Sequence, residues 1–199
     1  MNPTGLKGLS MDTNRRKIVS QEARMLLENH PVYLDTETTG MHNSAEVIEI
    51  GIINDEANVL FDSLIRSRGK IDPAAARVHG ITPEMLADAP TWDKAWPQAE
   101  AVLLDRRVGV YNVEFDLRLM KQTHRFSMLR WVLPESNFFD IMILYARFFG
   151  DWDPIHRSYR YQSLELAGRQ CGIRLPNAHR AVDDCLLTRA LLHHMAESA

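Results

Sequence analysis

The segment Asp35-Thr36-Glu37-Thr38-Thr39-Gly40 follows a short β-prone stretch, residues 32–35, and sets two carboxylates two positions apart. In a strand, residues two apart point to the same side, so Asp35 and Glu37 stand side by side. Such a pair is costly unless a cation or a proton lies between them. A hard divalent ion with oxygen ligands, Mg²⁺ or Mn²⁺, suits it best. The plain alternative is an acidic strand end facing solvent. A calcium-binding EF-hand loop is another: Asp35, Glu37, Thr39, Gly40 and Glu46 fall at its positions 1, 3, 5, 6 and 12. The setting opposes it. An EF-hand loop joins two helices, whereas residues 46–54 (EVIEIGIIN) read as a strand, and His42 takes a place usually apolar.

Two further segments carry groups of the same kind. In Tyr111-Asn112-Val113-Glu114-Phe115-Asp116 a strand gives way to a helix. Asp116 falls near the helix N-terminus, where the dipole favours an ionised carboxylate; a simple cap is the alternative. His179-Arg180-Ala181-Val182-Asp183-Asp184 opens the last helix. Residues five apart on a regular helix point about 140° from each other, so a helical His179 would face Asp183 better than Asp184. A His179 in the loop before the helix, favoured by Pro176 and Asn177, lifts that restriction. Taken alone, His179 reads equally as a surface or capping histidine.

The elements that must hold these groups follow from periodicity. A helix is expected over residues 12–29, ended by Pro31, with residues 1–10 irregular. Residues 46–54 are apolar almost throughout, the mark of a strand buried on both faces. Residues 58–67 form a third strand paired through the turn at 54–57. Asp72-Pro73 and Thr82-Pro83 suit helix starts. A fourth strand is expected over 107–113 and a helix over 116–131, then a short strand and helix over 137–149. Ser163 caps a helix ending at Gly172, and residues 181–195 form a last helix. Three sequential strands followed by helix-separated ones imply an α/β fold with a mixed sheet and helices on its faces.

Composition bounds the rest. With 199 residues, 45% apolar and 25% charged, the chain suits one globular domain with a small appendage. Disorder, collagen and coiled coil are excluded as descriptions of the whole. Cys171 and Cys185 make no disulfide framework, and residues 1–21 lack a secretory apolar stretch, so a cytoplasmic protein without a membrane span is expected. The net charge of −3 divides unevenly: residues 1–100 carry −5 and residues 101–199 carry +2, and 18 of the 23 basic residues are Arg. Arg suits forked anions such as phosphates. Arg118, Lys121, Arg125 and Arg130 on one expected helix could follow a phosphate backbone, or form an ordinary solvated face. Trp92 and Trp96, four apart, read as helix packing.

Together the stretches VYLDTETTG, VYNVEFD and HRAVDD, with Arg77-Val78-His79-Gly80-Ile81-Thr82 between them, resemble the DnaQ-like 3′–5′ exonucleases of the DEDDh pattern. This family includes the proofreading epsilon subunit of bacterial DNA polymerase III. The likeness covers about residues 30–195 and leaves residues 1–29 as an N-terminal extension with a helix, ahead of an exonuclease domain at 30–199. It implies a ribonuclease H-like fold, a mixed five-stranded sheet with helices on both faces. It implies that Asp35, Glu37, Asp116 and Asp184 hold two divalent metal ions, Mg²⁺ or Mn²⁺, and that His179 is the general base. The family's five-residue offset selects Asp184 over Asp183. Thr38, Thr39, Met41, Val78, His79 and Phe115 would lie near the 3′-terminal nucleotide.

The chemistry suits the residue types. Two metals stabilise the attacking and leaving oxygens of a phosphodiester, an imidazole takes the proton of water, and an aromatic ring stacks on any base. The expected partner is a single-stranded nucleic acid 3′ end, DNA favoured over RNA, with release of 5′-mononucleotides in proofreading or repair. An RNA-directed enzyme resembling oligoribonuclease or ribonuclease T is the alternative within the fold. A non-catalytic nucleic-acid-binding module is the alternative outside it. Tyr111 and Ala74 stand where the polymerase subunit has histidine and glutamate, and only 15 residues follow Asp184. That leaves no counterpart of the subunit's polymerase-tethering tail, so a free-standing or differently partnered enzyme is expected.

Overall fold

The computed structural model describes residues 4–175 and 179–198, with side chains from residue 13 onward. In chain order the elements are α1 (Thr4–Leu27), β1 (Val32–Thr38), β2 (Val47–Ile53), β3 (Val59–Leu64), α2 (Pro73–His79), α3 (Pro83–Leu86) and α4 (Trp92–Leu103). They continue as β4 (Val108–Val110), α5 (Val113–Phe126), β5 (Phe138–Asp140), α6 (Ile141–Phe149), β6 (Trp152–Asp153), β7 (Ser158–Tyr159), α7 (Leu164–Gln170) and α8 (Ala181–Glu197). Five strands form one sheet in the order β3-β2-β1-β4-β5. β1 pairs antiparallel with β2, and β2 with β3; β1 pairs parallel with β4, and β4 with β5. This is the mixed five-stranded sheet expected.

Every residue of β2 is buried, because helices cover both faces. Val32, Leu34, Ile50 and Ile52 pack with Trp92, Trp96 and Leu103 of α4 and with Leu117 and Met120 of α5. Tyr33 and Ile53 pack on the other face with Val19 of α1, Ile141 and Tyr145 of α6, and Cys185, Leu191 and Met195 of α8. Trp92 and Trp96 stack at 5.1 Å inside the core, as their spacing indicates.

Several boundaries differ from expectation. Residues 4–10 belong to α1 and are not irregular. Gly5 and Gly8 only weaken a helix, by about 1 kcal/mol each, and the one proline nearby precedes the first helical residue. The helix α1 meets the core through Val19 and Ala23, with Leu26 and Leu27 packed beside them, while Ile18 and Met25 are 51% and 65% exposed. α5 starts earlier than expected, because the Asn112 carboxamide accepts a hydrogen bond from the Phe115 N–H. Asp116 is therefore inside the helix and not its cap. Arg130 lies beyond α5, leaving Arg118, Lys121 and Arg125 on it. The β6–β7 hairpin, two residues per strand, is too short to show an alternating pattern. Among the described residues, no helix is long and apolar enough to cross a membrane.

α8 lies directly on β2 at Gly51. A Cβ there would meet the Ala181 carbonyl carbon and the Val182 nitrogen at 2.8 Å, both backbone atoms that cannot rotate away. Gly51→Ala is therefore expected to destabilise the fold by about 1–3 kcal/mol. The measurement is a urea transition with a lower midpoint and an unchanged m value. An unmoved midpoint would mean that α8 lifts from the sheet at no cost.

Candidate active site

Asp35 and Glu37 leave β1 on the side of Tyr33, which is the side covered by α8. Asp184 sits in the first turn of α8. One carboxylate oxygen from each of Asp35, Glu37 and Asp184 lies within 4.8 Å of the others. Asp183 is outside that group. Asp116 approaches from α5; it is 3% exposed, and its Oδ1 accepts a 2.6 Å hydrogen bond from the Thr36 hydroxyl. All four stand near the carboxyl ends of the parallel strands β1 and β4, where α/β sheets commonly hold ligands.

His179 precedes Arg180, the N-cap residue of α8, and has a positive φ of 46°. It is thus outside the helix, and the helical restriction on a five-residue offset does not apply. Its Nδ1 lies 4.0 Å from Asp184 Oδ2, and its side chain is 42% exposed. Pro176 and Asn177, which favour that placement, lie outside the described residues.

A cavity of about 260 Å³ opens beside Glu37. Thr36, Thr38, Gly40 and Met41 line one side; Asp72, Ala74, Ala75, Val78, His79 and Phe115 line the rest. Of the expected substrate residues, Thr38, Met41, Val78, His79 and Phe115 are therefore together. Thr39 is not: it is 1% exposed, and its Oγ1 accepts from the Glu46 N–H at 2.9 Å. A bulge between Glu37 and Thr38 breaks the alternation and turns Thr39 into the fold.

His79 is held by its own turn. Gly80 at φ 70° closes α2, and the Ile81 N–H then donates to His79 Nδ1 at 2.9 Å. That bond keeps Nδ1 unprotonated and puts the ring hydrogen on Nε2. Nε2 is buried beside the Thr38 backbone, without a well-formed hydrogen bond to it. Burial lowers the His79 pKa, opposed by the nearby Thr38 backbone.

The charged form of every carboxylate is disfavoured in this setting. Burial, then the charges of Asp116, Asp184, Glu37 and Glu49, hold Asp35 well above the usual carboxylate range. Burial, then Asp184, Glu49 and Asp116, push Glu37 up to about 8, with Arg180 pulling it down. Burial raises Asp116 to about 7 against the hydrogen bonds of Thr36. Burial raises Asp184 to about 6 against the pull of His179. Asp184 Oδ1 is also buried without a hydrogen-bond partner. Converging oxygen donors, an unused buried lone pair and unrelieved repulsion together fit a hard divalent cation.

Sequence patterns did not single out Thr36, Glu49, Asp72 or Arg180. Glu49 carries a usable signal, since a glutamate inside an apolar buried strand is almost never unpaired. Tyr111, which stands where the polymerase subunit has histidine and other family members have tyrosine, donates to the Gln162 carbonyl at 2.8 Å.

A family model described as an exonuclease (RNase_T) matches residues 32–192. The chain belongs to this exonuclease family. An uncharacterised exonuclease of Escherichia phage 186 is 30% identical over 185 residues, which are 90% of this chain and 94% of that protein. The epsilon subunit of DNA polymerase III from Escherichia coli (strain K12) is 30% identical over 118 residues, 54% of this chain and 48% of that subunit. The chain thus matches about half of the subunit's length. Exonuclease X, solved with a 5′ overhanging duplex DNA, has the same fold, with a TM-score of 0.63 at 23% identity over 84% of this chain and 92% of that one. The DnaQ-like resemblance is borne out, and with it a phosphodiester hydrolase on a ribonuclease H-like fold. The EF-hand alternative falls, because β1 and β2, not two helices, flank residues 39–46.

For this exonuclease the raised carboxylate pKa values set a pH dependence. The metal-free fold keeps protons that its unfolded chain loses near pH 4, so its stability falls as pH rises through the folded values of about 6 to 8. A divalent ion displaces those protons, so Mn²⁺ binding at pH 7 is expected to release protons and to tighten with pH. Calorimetry in buffers of different ionisation enthalpy reads the release. A binding enthalpy independent of buffer would contradict the shared protonation.

Proposed function

We propose that this chain is a 3′–5′ exonuclease that removes 5′-mononucleotides from single-stranded DNA ends. The observation that carries the reading is the meeting of Asp35, Glu37 and Asp184 within 4.8 Å beside the cavity of Phe115 and His79. Asp35, Glu37, Asp116 and Asp184 are the residues that would hold two divalent ions, Mg²⁺ or Mn²⁺. Such ions offset the carboxylate charge and supply Lewis acidity towards a phosphodiester.

The protein's own groups do the rest. His179, half-exposed at the edge of the cluster, takes the proton of the attacking water. His79 lines the cavity that would receive the terminal nucleotide, its ring held by the Ile81 N–H. Phe115 stacks on the terminal base, and Met41 and Val78, 77% and 53% exposed, flank it at the mouth. A cavity of this size takes one small ligand. Direction follows the DnaQ-like resemblance, and the likeness to the epsilon subunit of DNA polymerase III favours DNA over RNA.

The test is a time course on 5′-labelled single strands of DNA and RNA of equal length with Mg²⁺. DNA is expected to shorten from its 3′ end in single-nucleotide steps, faster than RNA, and to stop on adding chelator. Faster loss of RNA would make the enzyme RNA-directed; binding without nucleotide release would make it a binding module. Asp116→Ala should keep the circular dichroism spectrum and lose about a thousandfold or more in rate. A near-wild-type rate would remove Asp116 from the chemistry. Phe115→Ala should raise KM about 5- to 100-fold whatever the base, the cost of one lost stacking contact.

A further inference from the structure

Glu49 of β2 lies directly opposite Glu37 of β1 in the sheet register. Opposed residues leave the same face, so a fifth carboxylate borders the cluster. Its lone pairs are nevertheless spent. Glu49 is 2% exposed; Oε1 accepts from Arg180 Nε at 2.9 Å and from Arg180 Nη2. Oε2 accepts from Arg180 Nε at 3.1 Å and from the Ala181 N–H at 3.1 Å.

Arg180 is the N-cap residue of α8, and its own side chain makes no capping bond there. Glu49 supplies the cap from the sheet: it satisfies an orphan amide of the first turn and sits at the positive end of the helix. The same carboxylate grips the side chain of the residue next to His179. The rest of α8 is secured elsewhere, by Leu187, Leu191, Leu192 and Met195 in the core. The effect of the grip is therefore concentrated at residues 179–181, where the chain turns through the positive φ of His179.

We infer that the Glu49–Arg180 pair is a positioning device for His179, fixing the chain that carries the imidazole to the strand that neighbours the cluster. Glu49 is a tether and not a metal ligand. The inference rests on the reading of His179 as the base of the proposed exonuclease. Arg180 is 39% exposed on its side chain, so the fork can be reached from solvent.

Arg180→Ala and Glu49→Gln are expected to lower kcat about 10- to 100-fold, the scale of a lost supporting bond at a metal site, with KM within twofold. Circular dichroism and cooperative melting should remain. Guanidinium ion below denaturing concentration should restore part of the Arg180→Ala rate and leave the wild type unchanged. Arg180→Lys should restore little, since an ammonium cannot form the fork. Independently of turnover, Mn²⁺ should broaden the His179 ring resonances of the wild type, assigned with His179→Gln, and broaden them less in Arg180→Ala. An unchanged kcat, a KM rise alone, absent rescue or undiminished broadening overturns the inference. Weaker broadening in Arg180→Ala than in the wild type, together with a wild type that releases no nucleotide, would instead sustain the tether and overturn the proposed function.

Discussion

Like charges forced together at the carboxyl ends of β1 and β4 govern this molecule. Asp35, Glu37, Asp116 and Asp184 are buried enough that each sits above its ordinary pKa, and burial is the largest cause in every case. A fold does not gather such groups for its own stability, since each raised value records a folded state less favourable to the charged form. Protons can relieve the repulsion, and a hard divalent cation fits the same oxygen cluster. The remaining architecture reads as the means of holding the repulsion in place: a sheet strand for two carboxylates, a helix on each face for the others, and the Thr36 hydroxyl of β1 binding Asp116 of α5.

The position of α8 is the tightest of these constraints. Its N-terminus must come near enough to β1 for Asp184 to meet Asp35 and Glu37. Gly51 makes that approach possible by leaving room for the backbone of Ala181 and Val182. Further along, the Cys185 thiol rests on the carbonyls of Tyr33 and Gly51. Asp55, in the turn between β2 and β3, accepts from the Tyr33 hydroxyl at 2.7 Å and meets His193 Nε2 at 2.8 Å. His193, which by position alone looks like a surface residue near a fraying end, is thus part of the lock between sheet and helix. Three contacts along one helix fix its depth and its register together.

The period-two rule finds Asp35 and Glu37 from sequence because a strand's alternation is local. It does not extend to Thr39, which the resemblance alone put near the substrate, because a bulge is set by the pairing of β1 with β2 and leaves no mark in the residues themselves. The choice between Asp183 and Asp184 depends on where α8 begins, and a one-residue difference in that start decides which carboxylate faces the sheet. Family spacing supplies that choice; periodicity does not. The grip of Glu49 on Arg180 spans 131 positions, so no local pattern displays it. What the sequence does display is its precondition, a charged residue in a run of β-branched ones. The extent of α1 is hidden for a different reason: glycine lowers helix propensity without forbidding a helix that packing on α6 and α8 can stabilise.

The cavity beside the cluster divides by chemistry. At the Glu37 end stand carboxylates suited to a cation. At the other end stand Ala74, Ala75, Val78, Met41 and the ring of Phe115, which offer apolar surface. A nucleotide has the same division, an anionic phosphate joined to a flat base, and on the proposed reading each end meets its complement. His79 lines the same cavity, with Nδ1 occupied by its own backbone turn and Nε2 buried beside the Thr38 backbone. The apolar end presents few groups that could read the donor and acceptor pattern of a base edge. Its contacts are with surface that all four bases share. On the proposed reading, lack of sequence preference follows from residue type, and selectivity for the strand's end would come from a terminal base lying among Met41, Val78 and Phe115 while its phosphate meets the carboxylates.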